Sequence, residues 1–277
     1  MPDVVATNAA YWESLAPHRP GATVEDVRAM DVISADELAA LGNVDGRRCL
    51  QVAASVGDEA LQLALMGAEA TAVDIAPSHV ATGLAKAGAL GVEVDFRVAD
   101  MTDLPEDVRG FDVIYISWGG LCWVPDLGPW VHDMAQRLAP GGRLVIAEHH
   151  PLWEVLSVDD SRLRVSRSYV DQGWRDGADV LKQPEVVRQL GGRPPPSTSF
   201  VWSIGAVVTA LLAAGLVVVH LQEHALASMY PGLPGAAHLP ATYVAAARKP
   251  TDAVRRGGSG NRRSRKGGRR AMAGGRS

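Results

Sequence analysis

Cysteine is nearly missing from this chain: Cys49 and Cys122 are the only two among 277 residues. Two thiols make no disulfide framework, and neither stands in the Cys/His spacing of a zinc site. A reducing, cytoplasmic setting is therefore expected, with no metal. Aromatics are also scarce, at 5% with three phenylalanines, so a core must be mostly aliphatic; the 47% apolar content is enough for one. No basic segment followed by an apolar run opens the chain, so no secretory signal is expected. The longest apolar run, Ile204 to Val219, has 16 residues, against about 20 for a bilayer span. Gly215 divides it into a helix-like half and a β-branched half. A helix followed by a strand is predicted there, and no membrane partner. No internal repeat is visible.

Charge is distributed unevenly. Residues 249–277 hold ten of the 27 basic residues and one of the 31 acids, which leaves an acidic body of 17 basic and 30 acidic residues. The tail has almost no apolar content, so 250–277 reads as a disordered basic extension. A basic arm can meet nucleic acid, but it serves equally as a solvated extension or a segment resting on the acidic body.

The stretch that organises the rest is Arg47 to Asp74. Cys49 to Ala53 suits a buried parallel strand. Ala53 to Gly57 is a run of small residues where the chain must turn. Asp58-Glu59 opens a helix with acids at its N-terminus, Gly67 stops it, and Ala70 to Val73 is the next strand, ending in Asp74. In an open parallel sheet, the carboxyl edge is where ligands bind. An acid at that point suits the paired hydroxyls of a ribose, so a nucleoside-bearing ligand is expected. A dinucleotide site asks for Gly-x-Gly-x-x-Gly; Ala53, Ser55 and Gly57 supply one glycine of three, which counts against a pyrophosphate.

Leu50-Gln51-Val52-Ala53-Ala54-Ser55-Val56-Gly57 instead resembles the first motif of the class I S-adenosylmethionine-dependent methyltransferases, commonly Leu-Asp-x-Gly-x-Gly-x-Gly. Gln51 stands for the acid, and Ala53 and Ser55 for two glycines. Asp100, followed by Met101 and Leu104-Pro105, is similar to that family's Asp-x-x-x-Leu-Pro segment. Phe111 to Ile114 is similar to its Phe-Asp-Val-Val strand, and Leu138-Ala139-Pro140-Gly141-Gly142-Arg143-Leu144 to its Leu-x-Pro-Gly-Gly-x-Leu turn. The likeness runs from about 47 to 151. It implies an α/β fold: a doubly wound, Rossmann-like, seven-stranded and mostly parallel sheet with the last strand antiparallel. It implies S-adenosyl-L-methionine as cofactor and methyl transfer to oxygen or nitrogen of a small molecule.

On this reading, 1–46 is a helical cap, 47–151 the cofactor half, 152–200 a lid-like insertion and 201–249 the C-terminal half of the sheet. The resemblance assigns the cofactor to Gln51, Ala53, Ser55, Gly57, Asp74, Ile75, Asp100, Met101, Ser117, Trp118 and Tyr11. Asp74 would take the ribose and Asp100 the adenine amino group, with Met101 on the ring. Trp12 and Trp123 read as packing residues, and His18 and Arg19 are further candidates to face the site. Arg162, Arg164, Arg167, Tyr169 and Trp174 in the insertion suit a polar aromatic or acidic substrate, or else form a solvated hairpin. His149 and His150 are the candidate general bases. Neighbours on a strand point to opposite faces, so they are unlikely partners on one metal, and only one should face the substrate. Two other readings stand: a nucleic-acid methyltransferase using the tail, and a non-catalytic cofactor-binding protein. Against the first, the body is acidic and Ser117-Trp118-Gly119-Gly120 replaces any Asn-Pro-Pro-Tyr-type motif. Deletion of 250–277 is expected to leave the melting temperature and cofactor affinity unchanged; a large drop in melting temperature would show that the tail packs.

Overall fold

The structure is a computed structural model, which describes residues 4–170, 175–176 and 195–251. The expected tail from residue 252 onward, Trp174 and the stretch 177–194 lie outside the described residues. The chain opens with helices α1 (Val4–Leu15), α2 (Val24–Arg28) and α3 (Ala35–Leu41). Thr23 with Asp26, and Ser34 with Glu37, form capping boxes that start α2 and α3. Then come β1 (Arg48–Val52), α4 (Asp58–Leu65), β2 (Glu69–Asp74), α5 (Pro77–Leu90), β3 (Val94–Val98), β4 (Phe111–Ser117), α6 (Leu127–Arg137) and β5 (Leu138–His149). A short α7 (Pro151–Val155) leads into the hairpin β6 (Leu156–Asp159) and β7 (Arg162–Val165); β8 (Arg175–Asp176) pairs with β9 (Thr198–Ser199). The last elements are α8 (Ile204–Ala213), β10 (Val217–Ala225) and β11 (Pro240–Arg248).

Seven strands form one sheet in the order β10-β11-β5-β4-β1-β2-β3. β11 runs antiparallel to both of its neighbours, and the pairs among β1 to β5 are parallel. Both faces are covered, because the strand period of two divides each central strand between two cores. Ile114, Ile116, Leu144 and Ile146 pack on α6 and α8 through Trp130, Met134, Val207 and Leu211. Val113, Tyr115, Val145 and Ala147 turn the other way, toward Leu41 of α3 and Leu63 of α4. The buried Tyr115 hydroxyl donates to Glu37, which ties the N-terminal helices to the centre of the sheet. The apolar run 204–219 divides at Gly215 as expected, and among the described residues no helix is long and apolar enough to cross a membrane.

Two strand starts are set by local structure. The alternating run Val92 to Val98 reads in the sequence as the third strand, but pairing starts at Val94, because Gly91 closes α5 in the left-handed region and Val92 N–H turns back to Ala87 O. The run Arg143 to Glu148 reads as the fifth, but that strand starts at Leu138. Leu138 already pairs with Phe111, the chain then makes an excursion through Pro140-Gly141, and pairing resumes at Arg143 beside Val113. A Cβ on Gly142 would lie 2.8 Å from Phe111 O and 3.0 Å from Asp112 O, so only glycine passes that close to the neighbouring strand.

The turn after β1 is strained. Ala53 and Ser55 have φ of +51° and +50°, alternating with Gly57 at +74°. A left-handed conformation costs an L-residue roughly 1–2 kcal/mol. The conformation survives because Ser55 N–H is held by the Asp74 carboxylate at 2.7 Å and Ala54 N–H by Val73 O at 2.9 Å. Ala53→Gly and Ser55→Gly are each expected to stabilise the fold by about 1 kcal/mol, measured by chemical denaturation; a loss of stability would mean that the side chains matter more than the backbone.

Candidate functional site

The strained turn, the end of β2 and the loop after β4 border one cavity of about 800 Å3 at the carboxyl edge of the sheet. Ala53, Ser55, Asp74, Ile75, Asp100, Met101, Ser117 and Trp118 all line it. Three other residues expected there do not. Gln51 lies buried beneath the turn, its Oε1 accepting from Ala60 N–H at 3.0 Å and its Nε2 donating to Glu59 and Ser117. Gly57 serves the turn, with the Phe96 ring where a Cβ would be. Tyr11 is buried behind Trp12 and Trp123, and those two indoles line the cavity in its place.

Further wall comes from α1, within the expected helical cap, and from α5, where His79 was not foreseen. Val4, Val5, Asn8 and Trp12 of α1 line the cavity, with Arg19, whose guanidinium stacks 5.3 Å from the Trp12 ring. The Asn8 side chain exchanges two hydrogen bonds with Thr198 of β9, at 2.8 and 3.0 Å. Glu13 accepts from the Ser78 N–H and hydroxyl at the start of α5, where a carboxylate also meets the positive end of the helix. His79, two residues into α5, lines the cavity beside Asp74.

Asp74 is buried and already engaged. Its Oδ2 accepts from Ser55 N–H, and its Oδ1 from Ala76 N–H at 2.9 Å, with His79 Nδ1 at 3.2 Å. Asp100 accepts from Thr102 N–H at 2.9 Å and from its hydroxyl at 2.6 Å, and so also holds the turn that follows it. Carboxylate oxygens carry about four lone-pair sites in all, so each acid retains acceptor capacity toward the cavity. Trp130 Nε1 donates to Met101 O, which fixes that turn from α6.

The two histidines part company as the strand period requires. His150 is buried; its Nδ1 accepts from Leu152 N–H at 3.1 Å, and its Nε2 lies 2.6 Å from Glu223. It caps α7 and does not line the cavity, and burial lowers its pKa. His149 is partly exposed, its ring 4.7 Å from Trp153 and 6.1 Å from the cavity-lining Trp118, with Glu148 and Glu154 at 3.7 and 3.9 Å. It borders a smaller hollow of about 280 Å3 with Cys122, Glu148 and Tyr243, behind the 119–122 loop. Burial raises the Cys122 thiol well above its ordinary value, which argues against a nucleophile. In the insertion, Arg162 and Arg164 are exposed on β7, and Arg164 pairs with Asp159 at 2.7 Å. Among the described residues no group of His, Cys, Asp and Glu is arranged to hold a metal ion.

Glu148 anchors that loop. It accepts from Gly119, Leu121 and His149 N–H at 2.5, 2.8 and 2.7 Å. Burial nevertheless pushes its pKa up to about 6, above the 4.5 of a free carboxyl. A carboxyl raised in the folded state binds its proton more tightly there than in the unfolded chain, so stability falls as pH rises from about 4.5 through 6. The fall should be about 2 kcal/mol. Denaturation of the wild type and of Glu148→Gln across pH 4–7 should show it as a difference between the two curves; parallel curves would contradict it.

The comparisons with known proteins agree with this geometry. Residues 49–142 match a family described as a methyltransferase domain. A demethylmenaquinone methyltransferase of Thermus thermophilus is 38% identical over 107 residues, covering 38% of this chain and 48% of that protein. A ubiquinone biosynthesis O-methyltransferase of Xanthomonas euvesicatoria pv. vesicatoria is 32% identical over 138 residues, or 50% and 55% of the two chains. The chain thus spans about half the length of the curated relatives it matches. Among solved structures, an S-adenosylmethionine-dependent methyltransferase from Mesorhizobium loti superposes with a TM-score of 0.61 at 21% identity, over 77% of this chain and 95% of that one. Residues 49–142 are a methyltransferase domain, and the chain has the class I S-adenosylmethionine-dependent methyltransferase fold.

Proposed function

We propose that the protein transfers a methyl group from S-adenosyl-L-methionine to an oxygen or nitrogen of a small molecule. The observation that carries this is one cavity holding two carboxylates, Asp74 at the end of β2 and Asp100 after β3, under an aromatic cap. The residues fit the cofactor. Asp74 keeps a lone pair for a ribose hydroxyl and Asp100 for an adenine amino group, with Ile75 and Met101 beside the ring. The short side chains of Ala53 and Ser55, with Gly119 and Gly120, leave room for the methionine portion. Bound there, the cofactor supplies an activated methyl group on a sulfonium. Trp118 and Trp123 offer π faces to that positive charge. The protein's part is to align the acceptor and exclude water, which α1 serves by covering the cavity.

The acceptor side is the region of Trp118, His149 and the β6–β7 insertion. His149 is our candidate base for a hydroxyl or protonated amine; it stands between Glu148 and Glu154, which can orient its ring. The names of the two curated relatives, from menaquinone and ubiquinone biosynthesis, support a small organic acceptor, and the acidic body disfavours nucleic acid. Calorimetry should detect binding of S-adenosylmethionine and its demethylated product, and Asp74→Asn should weaken it about tenfold or more. No binding to a folded protein would sink the proposal. With an acceptor in hand, His149→Ala should lower kcat by about 10²–10⁴ while cofactor affinity holds. His150→Ala should cost stability and leave the chemistry alone; equal turnover in the wild type and His149→Ala would leave catalysis to alignment.

A further inference from the structure

We propose that His79 is a ligand-binding residue of the cavity, its Nε2 accepting a hydrogen bond from a hydroxyl of the bound nucleoside. The inference rests on the proposed function, since it takes the ligand to be S-adenosylmethionine or its product. Its starting point is a buried polar atom without a partner. His79 is 1% exposed, lines the cavity, and among the described residues its Nε2 has no hydrogen-bond partner.

The other ring nitrogen fixes the tautomer of the neutral ring. His79 Nδ1 lies 3.2 Å from Asp74 Oδ1. An ionised carboxylate only accepts, so Nδ1 carries the proton, and in the neutral ring Nε2 is a bare acceptor. Leaving such an acceptor buried and unmatched is costly, and a water would need two to four polar partners to fill it. The Trp12 indole stands beside the ring, at 6.0 Å between centroids. A hydroxyl on a ligand in the cavity supplies the missing donor.

Asp74 makes the same point by its saturation. Three donors, Ser55 N–H, Ala76 N–H and His79 Nδ1, already use most of its acceptor capacity. A ribose brings two adjacent hydroxyls, and the carboxylate has room for one. The second unfilled acceptor on this wall is His79 Nε2. His79 therefore has two separable tasks: its Nδ1–H holds Asp74, and its Nε2 meets the ligand.

Asparagine separates them, because its amide reaches where Nδ1 does and nothing stands for Nε2; methionine removes both. Calorimetry on the full chain would use S-adenosylhomocysteine and its 2′-deoxy and 3′-deoxy analogues. His79→Asn and His79→Met should each bind S-adenosylhomocysteine about tenfold more weakly than the wild type. In His79→Asn that penalty should vanish for the one analogue that lacks the hydroxyl in question, whereas in His79→Met part of it should remain, because Asp74 has also lost its support. Wild-type affinity in His79→Asn, or the same penalty for all three ligands, would overturn the proposal and leave His79 as a support for Asp74. A wild type that binds no S-adenosylhomocysteine would overturn the proposed function as well, which is a different result from a loss confined to the variants. Should neither variant fold, the ¹⁵N resonance of His79 Nε2 in the wild type decides: it should shift on adding S-adenosylhomocysteine, and no shift overturns the proposal.

Discussion

The Asp74 carboxylate is the contact on which the site depends. One oxygen holds the strained turn after β1 through Ser55 N–H, and the other holds the start of α5 through Ala76 N–H and orients His79. These groups come from the turn after β1, the end of β2 and the start of α5, which Asp74 ties together alongside the Ala54 N–H to Val73 O bond. Charge-assisted hydrogen bonds are stronger than neutral ones, and here three converge on a buried anion. The family glycines at positions 53 and 55 would let the turn adopt its shape freely. With alanine and serine there, the shape has to be enforced, and Asp74 is what enforces it.

Glu148 does for the loop after β4 what Asp74 does for the turn after β1. Each acid ends a strand, each collects backbone N–H groups from a neighbouring loop, and each is buried. The cavity is framed by loops pinned from the sheet edge rather than by loops packed on one another. The aromatic cap closes it from outside, with Asn8 tied to Thr198 and Glu13 to the start of α5. The cap is therefore anchored to both the insertion and α5, each time by a few hydrogen bonds.

The strands and the acids at their ends were legible in the sequence because they depend on period and on punctuation; the sheet they form was implied by the family resemblance. Alternation put His149 and His150 on different sides, and Gly215 divided the apolar run. What was not legible depended on how a helix is rotated. Tyr11 and Trp12 are neighbours on a short helix, and sequence reasoning favoured the first for the site. One residue is about 100° of rotation, and packing of Val4, Val5 and Asn8 over the cavity turns Trp12 inward and Tyr11 toward the core. His79 escaped notice for the same reason. The one available signal was Pro77, which marks the first turn of α5 and so puts a residue two positions later beside Asp74.

The replacement of the family acid by Gln51 makes sense once its neighbours are known. Glu59 lies in the first turn of α4, and its carboxylate accepts from Gln51 Nε2 at 3.0 Å and from the Ser117 hydroxyl at 3.1 Å. Burial raises the Glu59 pKa. An acid at position 51 would set a second carboxylate against it, with no donor between them, and one of the two would have to stay protonated. Glutamine avoids that. Its amide donates to Glu59 and Ser117 while its oxygen still receives Ala60 N–H, an otherwise unmatched donor in the first turn of α4. The negative charge beneath the turn has moved from the strand to the helix, and the strand position keeps its acceptor. What the sequence shows as a missing motif residue is in the structure a pair of residues that divide its work.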